Sequence, residues 1–186
     1  MSNSPCRYRI RFSAKSSIFP AFSLTDQEGR TISLADYAGK VVVLEWFNDG
    51  CPFVVKHYKN GDMNKLASSY TGKDVIWLAI NSTAGKTDAD NKKISSEWNI
   101  NRPVLNDSAG KVGKAYGAAT TPHMFIINKD GTLAYHGAID SKRSNDPADI
   151  AGATNYVKKA LDEIIDGKPV TITETKSYGC GVKYKD

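Results

Sequence analysis

Apolar residues in this chain come in short blocks separated by polar turns. Val41 to Phe47 (VVVLEWF) is apolar without alternation and rich in β-branched residues, the pattern of a strand covered on both faces. Val75 to Ile80 (VIWLAI) repeats it, and Pro103 to Leu105 is a shorter third candidate. Upstream, Phe19 to Leu24 and Ile32 to Tyr37 are short apolar runs separated by a turn at Gly29. A helix is expected from Pro52, whose missing N–H is harmless in a first turn; it should break near Gly61 and resume through Met63 to Tyr70. Asp88 to Trp98 reads as a polar-faced helix, and Lys111 to Tyr116 as a short one closed by Gly117. His123 to Ile127 is a strand, residues 128–131 (NKDG) are a hairpin turn, and Leu133 to Ile139 alternates as its antiparallel partner. Asp146-Pro147 opens the last helical region, with a stripe of Val157, Ala160, Leu161 and Ile164, ended by Gly167 and Pro169. Strands alternate with helices early and pair as a hairpin late, which predicts an α/β fold: a mixed central β-sheet flanked by helices.

Length and composition narrow this. A chain of 186 residues with 40% hydrophobic and 24% charged residues fits one folded domain. The expected divisions are a flexible leader at 1–17, the domain at 18–168, and a C-terminal tail at 169–186 that carries Cys180. Of the net charge of +5, the first fifteen residues supply +4 through Arg7, Arg9, Arg11 and Lys15, so about +1 remains for the rest. That is no basic surface for nucleic acid. No run approaches the ~20 apolar residues of a membrane span. The basic, Ser-rich N-terminus lacks the apolar core of a signal peptide. The compartment is left open by this, tilted towards the cytoplasm. Three cysteines, at 6, 51 and 180, do not make a disulfide scaffold, and the odd count leaves at least one free thiol.

Cys51 is where chemistry is expected. It falls between a buried strand and a helix mouth, in EWFNDGCPF. Free N–H groups and partial positive charge at a helix N-terminus stabilise a thiolate, the nucleophilic form of cysteine. The other reading is a small buried hydrophobe without chemistry.

Several stretches together carry a resemblance: LADYAGKVVVLEWFNDGCPFVVKHY, DVIWLAINS, GKVGKAYGAATTPHMFIINKDGTLAYHGAID and KSYGCGVKY. Across residues 18–186 the chain resembles the thioredoxin-fold redoxins, and within them the peroxiredoxin-like branch of the alkyl hydroperoxide reductase/thiol-specific antioxidant (AhpC/TSA) family. The resemblance implies a thioredoxin fold and a thiol-dependent oxidoreductase or antioxidant in which Cys51 reduces a peroxide or a disulfide. It implies a cis peptide before Pro122, with Thr121 presenting its backbone to a bound peptide, and a groove shaped by Pro52, Thr121 and Pro122. It also matches Glu45 to a buried acid that passes protons to the thiol. The implied partners are a small-molecule peroxide or protein disulfide and an external thiol reductant such as a thioredoxin, with no cofactor, nucleic acid or membrane.

The chain departs from both parent patterns. Val54 stands where thioredoxins have a second cysteine, so Cys51 has no local partner. Asn48 stands where peroxiredoxins have Thr or Ser, and Thr-Pro lies near the place of their peroxide-polarising Arg. Those groups stabilise the transition state, so their loss argues against high peroxidase activity. Asn48 is the candidate to do part of that work and assist Cys51; Lys56, His57 and Arg102 are further candidate substitutes, although their spacing does not place them at the thiolate. Oxidised Cys51 needs a second thiol to reset it. Cys180, flanked by Gly179 and Gly181, sits about a dozen residues beyond the last helix, a tail that reaches ~40 Å extended. Cys180 is either the resolving partner or a bystander packed under Tyr178 and Tyr184. Cys6 is expected to play no part. An alternative reading is a non-catalytic thioredoxin-fold module that binds thiols or a metal such as copper through Cys51 and His123.

Overall fold

The structure is a computed structural model that describes residues 19–185. The basic leader and Cys6 lie outside the described residues. Nine strands and five α-helices follow in the order β1 (Ser23–Thr25), β2 (Thr31–Ser33), β3 (Val41–Trp46), α1 (Pro52–Lys59), α2 (Asp62–Ser68), β4 (Val75–Asn81), α3 (Asp88–Glu97), β5 (Val104–Asn106), α4 (Lys111–Tyr116), β6 (Thr120–Thr121), β7 (His123–Ile127), β8 (Leu133–Gly137), α5 (Tyr156–Ile165) and β9 (Cys180–Gly181). Seven strands form one mixed sheet in the order β2-β1-β5-β4-β3-β7-β8, and β6 pairs with β9 in a separate ribbon.

The central strand is β3, parallel to β4 and antiparallel to β7. All six of its residues are buried, which is why the sequence there lacks alternation. Val41, Val43 and Phe47 face one core layer with Val54 and Tyr58 of α1 and Val157 and Leu161 of α5. Val42, Leu44 and Trp46 face the other, with Val112 and Tyr116 of α4 and Phe19 and Phe22 of the N-terminal approach. The expected mixed sheet between helical layers is what forms.

Local signals explain most boundaries. Pro52 opens α1, and the chain turns between α1 and α2 at Gly61, whose φ of 77° suits glycine. Three expected elements differ. The strand expected to reach Ile139 ends at Gly137, where Ala138 turns its N–H to the Thr175 hydroxyl. The Asp146-Pro147 signal opens only a 3-10 turn (Pro147–Asp149), and α5 begins later, capped by the Asn155 side chain on Lys158 N. The apolar run at Phe19–Leu24 divides: its phenylalanines fill the core while Ser23–Thr25 pairs with Thr31–Ser33.

The segment after α5 runs along the edge of β8 and is tied down along its length. His136 N donates to Thr173 O, and Thr175 N to His136 O. Tyr178 Oη donates to Asp140 at 2.6 Å, Thr121 pairs with Cys180 in the β6–β9 ribbon, and Val182 N donates to Ala119 O. Beyond it, Ala84 N donates to Lys183 O, and Tyr184 Oη to Ala118 O at 2.7 Å. Gly179 makes the ribbon possible. Its φ is +126°, and a Cβ there would run into the Thr121 carbonyl. Gly179→Ala is therefore expected to cost about 1–3 kcal/mol in urea denaturation and to expose Cys51 to alkylation by iodoacetamide. Protection of Cys51 equal to the parent's would show that the tail is not its cover.

Candidate active site

Cys51 occupies the N-cap position of α1, with extended backbone (φ −91°, ψ 118°). Its amide donates to Asn48 O at 3.0 Å, and its carbonyl accepts from the amides of Val54 and Val55. The residue is only 1% exposed. Its Sγ lies 3.0 Å from the Thr121 carbonyl oxygen, so strand β6, just before the cis Thr121–Pro122 bond, borders the sulfur. Cys180 lies opposite Thr121 on β9, and its thiol is within hydrogen-bonding reach of the Cys51 thiol. Two cysteines 129 positions apart (180 less 51) meet as a pair.

The electrostatics of that pair are asymmetric. Burial works against ionising Cys51, but the Thr121 side chain, the thiol and amide of Cys180 and the Val54 amide outweigh it and hold the Cys51 thiol below its ordinary value. These are donors that favour the charged form. The Thr121 hydroxyl is buried without a hydrogen-bond partner of its own, while the neutral Cys51 thiol donates to the Thr121 carbonyl. Cys180 is pushed the other way, to about 11, first by burial and then by its hydrogen bond and charge repulsion with Cys51. The two shifts oppose each other: Cys51 is the sulfur that ionises first, and Cys180 the one that keeps its proton.

Glu45 is fully buried, and both of its carboxylate oxygens are hydrogen-bonded. Its Oε1 accepts from Tyr58 Oη at 2.6 Å, and its Oε2 from Trp77 Nε1 at 2.8 Å and Arg102 at 3.1 Å. Arg102 also donates to Tyr58 Oη and to Asn64, and its side chain is only 8% exposed. The carboxylate is committed to a buried ion pair that binds β3, α1 and α2 together. Asn48 shapes the turn before Cys51, its Oδ1 accepting from Gly50 N at 2.8 Å. Pro52 is exposed beside the thiol, and Pro122 is buried.

The three candidate substitutes for a peroxide-polarising Arg are all held elsewhere. Arg102 serves Glu45. Lys56, 2% exposed, donates to Lys142 O and lies over the Tyr178 ring. His57 is fully buried, with Nδ1 2.6 Å from Asp62 and Nε2 3.6 Å from Asp140. Nor do Cys51 and His123 form a ligand pair. His123 lies opposite Trp46 across β3 and β7, with its ring tilted against Phe125 at 4.5 Å, whereas Glu45 and Met124 face the Cys51 layer. Its Nδ1 accepts from Ala119 N, and burial with the nearby His136 lowers its pKa to about 3. Among the described residues no group of three or more His, Cys, Asp or Glu side chains is placed to hold a metal ion. No described helix is long and apolar enough to cross a membrane.

Sequence reasoning missed what fixes the tail. Asp140 accepts from Tyr178 Oη and Lys142 N, and Tyr178 packs edge-on against Phe53, two residues past Cys51, at 5.9 Å. No local pattern marks these contacts. Clefts of about 530, 420 and 360 Å³ lie elsewhere on the surface, and neither Cys51 nor Cys180 lines any of them.

Two measurements check this account. The 240 nm thiolate absorbance assigned to Cys51 should titrate below pH 9, the thiolate populating above that lowered midpoint and disappearing as pH falls through it. Cys180→Ala, which removes a donor, should move the midpoint up; no movement would separate the two sulfurs electrically. Arg102→Met should cost about 3–5 kcal/mol by leaving Glu45 buried and unpaired, and adding Glu45→Gln should recover part of the loss in urea denaturation.

Comparison with known proteins places this geometry. The AhpC/TSA family model matches residues 16–136. The thiol-disulfide oxidoreductase ResA of Bacillus thuringiensis subsp. konkukian is 35% identical over 114 residues, 61% of this chain and 64% of the relative. The match thus spans just under two thirds of that relative's length. Among solved structures, a hypothetical protein from Sinorhizobium meliloti 1021 has a TM-score of 0.80 at 27% identity, covering 94% of this chain and 97% of that one. A secreted Mycobacterium tuberculosis disulfide oxidoreductase homologous to E. coli DsbE has a TM-score of 0.52 at 23% identity, covering 60% and 79%. The fold is a thioredoxin fold.

Proposed function

The chain belongs to the AhpC/TSA family, and we propose that it is a thiol–disulfide oxidoreductase whose working couple is Cys51 with Cys180. The observation that carries this reading is that Cys180 pairs with Thr121, whose carbonyl oxygen lies 3.0 Å from the Cys51 sulfur. Val54 removes the local partner found in thioredoxins, and β9 supplies one from the other end of the domain. The similar thiol-disulfide oxidoreductase ResA supports the same chemistry.

In this reading Cys51 is the stabilised thiolate and Cys180 the second sulfur of a reversible disulfide. Thr121 borders both sulfurs through its carbonyl, its hydroxyl and its pairing with Cys180. Pro52 starts the helix whose amides face the thiolate, and Pro122 sets the turn of β6 into β7. Asn48 and Glu45 act as positioning residues, the first through the turn before Cys51, the second through Tyr58 and α1. The partners are a disulfide substrate and an external thiol reductant.

Disulfides are favoured over peroxides as substrate. A peroxide requires donors or cations around an open sulfur. Cys51 is 1% exposed, and Arg102, Lys56 and His57 are engaged with other groups.

Peptide mapping after mild oxidation with diamide should recover a Cys51–Cys180 linked peptide. Cys51→Ser and Cys180→Ser should each reduce insulin disulfides no faster than the double variant does. Hydrogen peroxide should consume the parent's thiols no faster than it consumes free cysteine. An unlinked oxidised protein, or a Cys180→Ser variant of full activity, would defeat the proposal.

A further inference from the structure

In thiol–disulfide exchange the outside sulfur must reach one of two sulfurs in line. Access and the leaving group decide which: the thiol of lower pKa leaves faster. Cys51 lies beneath its partner, walled by the Thr121 carbonyl and bordered by Phe53 against Tyr178. Cys180 is half-buried on an outer strand, and its neighbours Gly179 and Gly181 carry no side chains to obstruct an approach. Lys183, exposed, acts on Cys180 by its charge, which favours an anionic thiolate arriving there.

The alternative is that the tail lifts away to bare Cys51. The structure opposes this on both sides of the cysteine: Thr175 and Tyr178 are bonded to Ala138 and Asp140 before it, and Val182, Lys183 and Tyr184 to Ala119, Ala84 and Ala118 after it.

We propose that Cys180 is the sulfur that exchanges with the outside partner, and that Cys51 is the internal sulfur that closes and reopens the bond. This rests on the reading of Cys51 and Cys180 as one couple, and it reverses the roles expected of a helix-mouth cysteine and a tail cysteine. Starting from Cys51 S⁻ and Cys180 S–H, the Cys180 sulfur attacks a disulfide R–S–S–R′. The R–S–S–R′ bond breaks, R′S⁻ leaves, the Cys180 proton passes to the Cys51 sulfur, and a Cys180–S–S–R bond forms. The Cys51 sulfur then attacks Cys180, its proton goes to the departing sulfur, and RSH leaves with the internal disulfide in place. Two electrons have passed from the protein to R–S–S–R′. In the reverse direction an external thiolate attacks the Cys180 sulfur and expels Cys51 as thiolate.

The test uses the full chain with Cys6→Ser as background. Oxidised protein is exposed to limiting glutathione, quenched in acid, and mapped for the mixed disulfide. Glutathione is expected on Cys180, with Cys51 free; glutathione on Cys51 overturns the inference while leaving the couple intact. If no internal disulfide is present before glutathione is added, the proposed function fails instead. If the mixed disulfide does not accumulate, reaction of the single variants with Ellman's reagent decides. Cys51→Ser, which keeps Cys180, should react roughly tenfold or more faster than Cys180→Ser, and the opposite order overturns the inference.

Discussion

The constraint on which this site depends is that an ionised sulfur sealed from water must find its donors within the protein. A lone thiolate at the end of β3 would lose its hydration and be driven back to the thiol. Here a two-residue ribbon answers that loss. Pairing Thr121 with Cys180 brings a hydroxyl, a thiol and an amide to the same sulfur that α1 addresses with its first-turn amides. Without the ribbon, Cys51 keeps the helix mouth but loses most of its other donors.

The rest of the domain makes that meeting possible. β3 is buried on both faces, so it is held laterally by β4 and β7 and vertically by two core layers. Glu45, inside that strand, pairs with Arg102 and accepts from Tyr58 and Trp77. A buried ion pair of this kind adds little net stability, yet it penalises any arrangement that separates its members. It joins the strand that ends near Cys51 to the helix that begins at it. On the far side, Tyr178 docks on Asp140, whose carboxylate lies 3.6 Å from His57 of α1.

Much of this frame was legible in the sequence. The unbroken apolar run of β3, Pro52 at the helix start, Gly61 between helices and Gly117 after α4 are local signals, and each acts within a few residues. The place of Cys51 was legible for the same reason: strand end and helix mouth are written side by side. Arg102 and Glu45 are 57 positions apart, and Tyr178 and Asp140 are 38. Such pairs leave no period in the chain. The tail shows neither a helical stripe nor strand alternation, because its two-residue strand gains its place from backbone edges and single side chains. Cys180 could be named as a candidate from its glycines and reach, but not placed. The Thr121 hydroxyl, buried without a hydrogen-bond partner, gave no signal.

The distance between the two cysteines along the chain has a consequence beyond chemistry. A pair separated by two residues closes a loop too small to restrain an unfolded chain much. A bond from 51 to 180 closes one of roughly 130 residues, which in the chain-entropy picture restricts the unfolded state by about 5 kcal/mol. Oxidation and folding then become linked equilibria. Whatever the bond adds to the resistance of the domain to unfolding, the folded domain returns as a bias towards the disulfide. A protein built this way carries its redox state in its melting temperature.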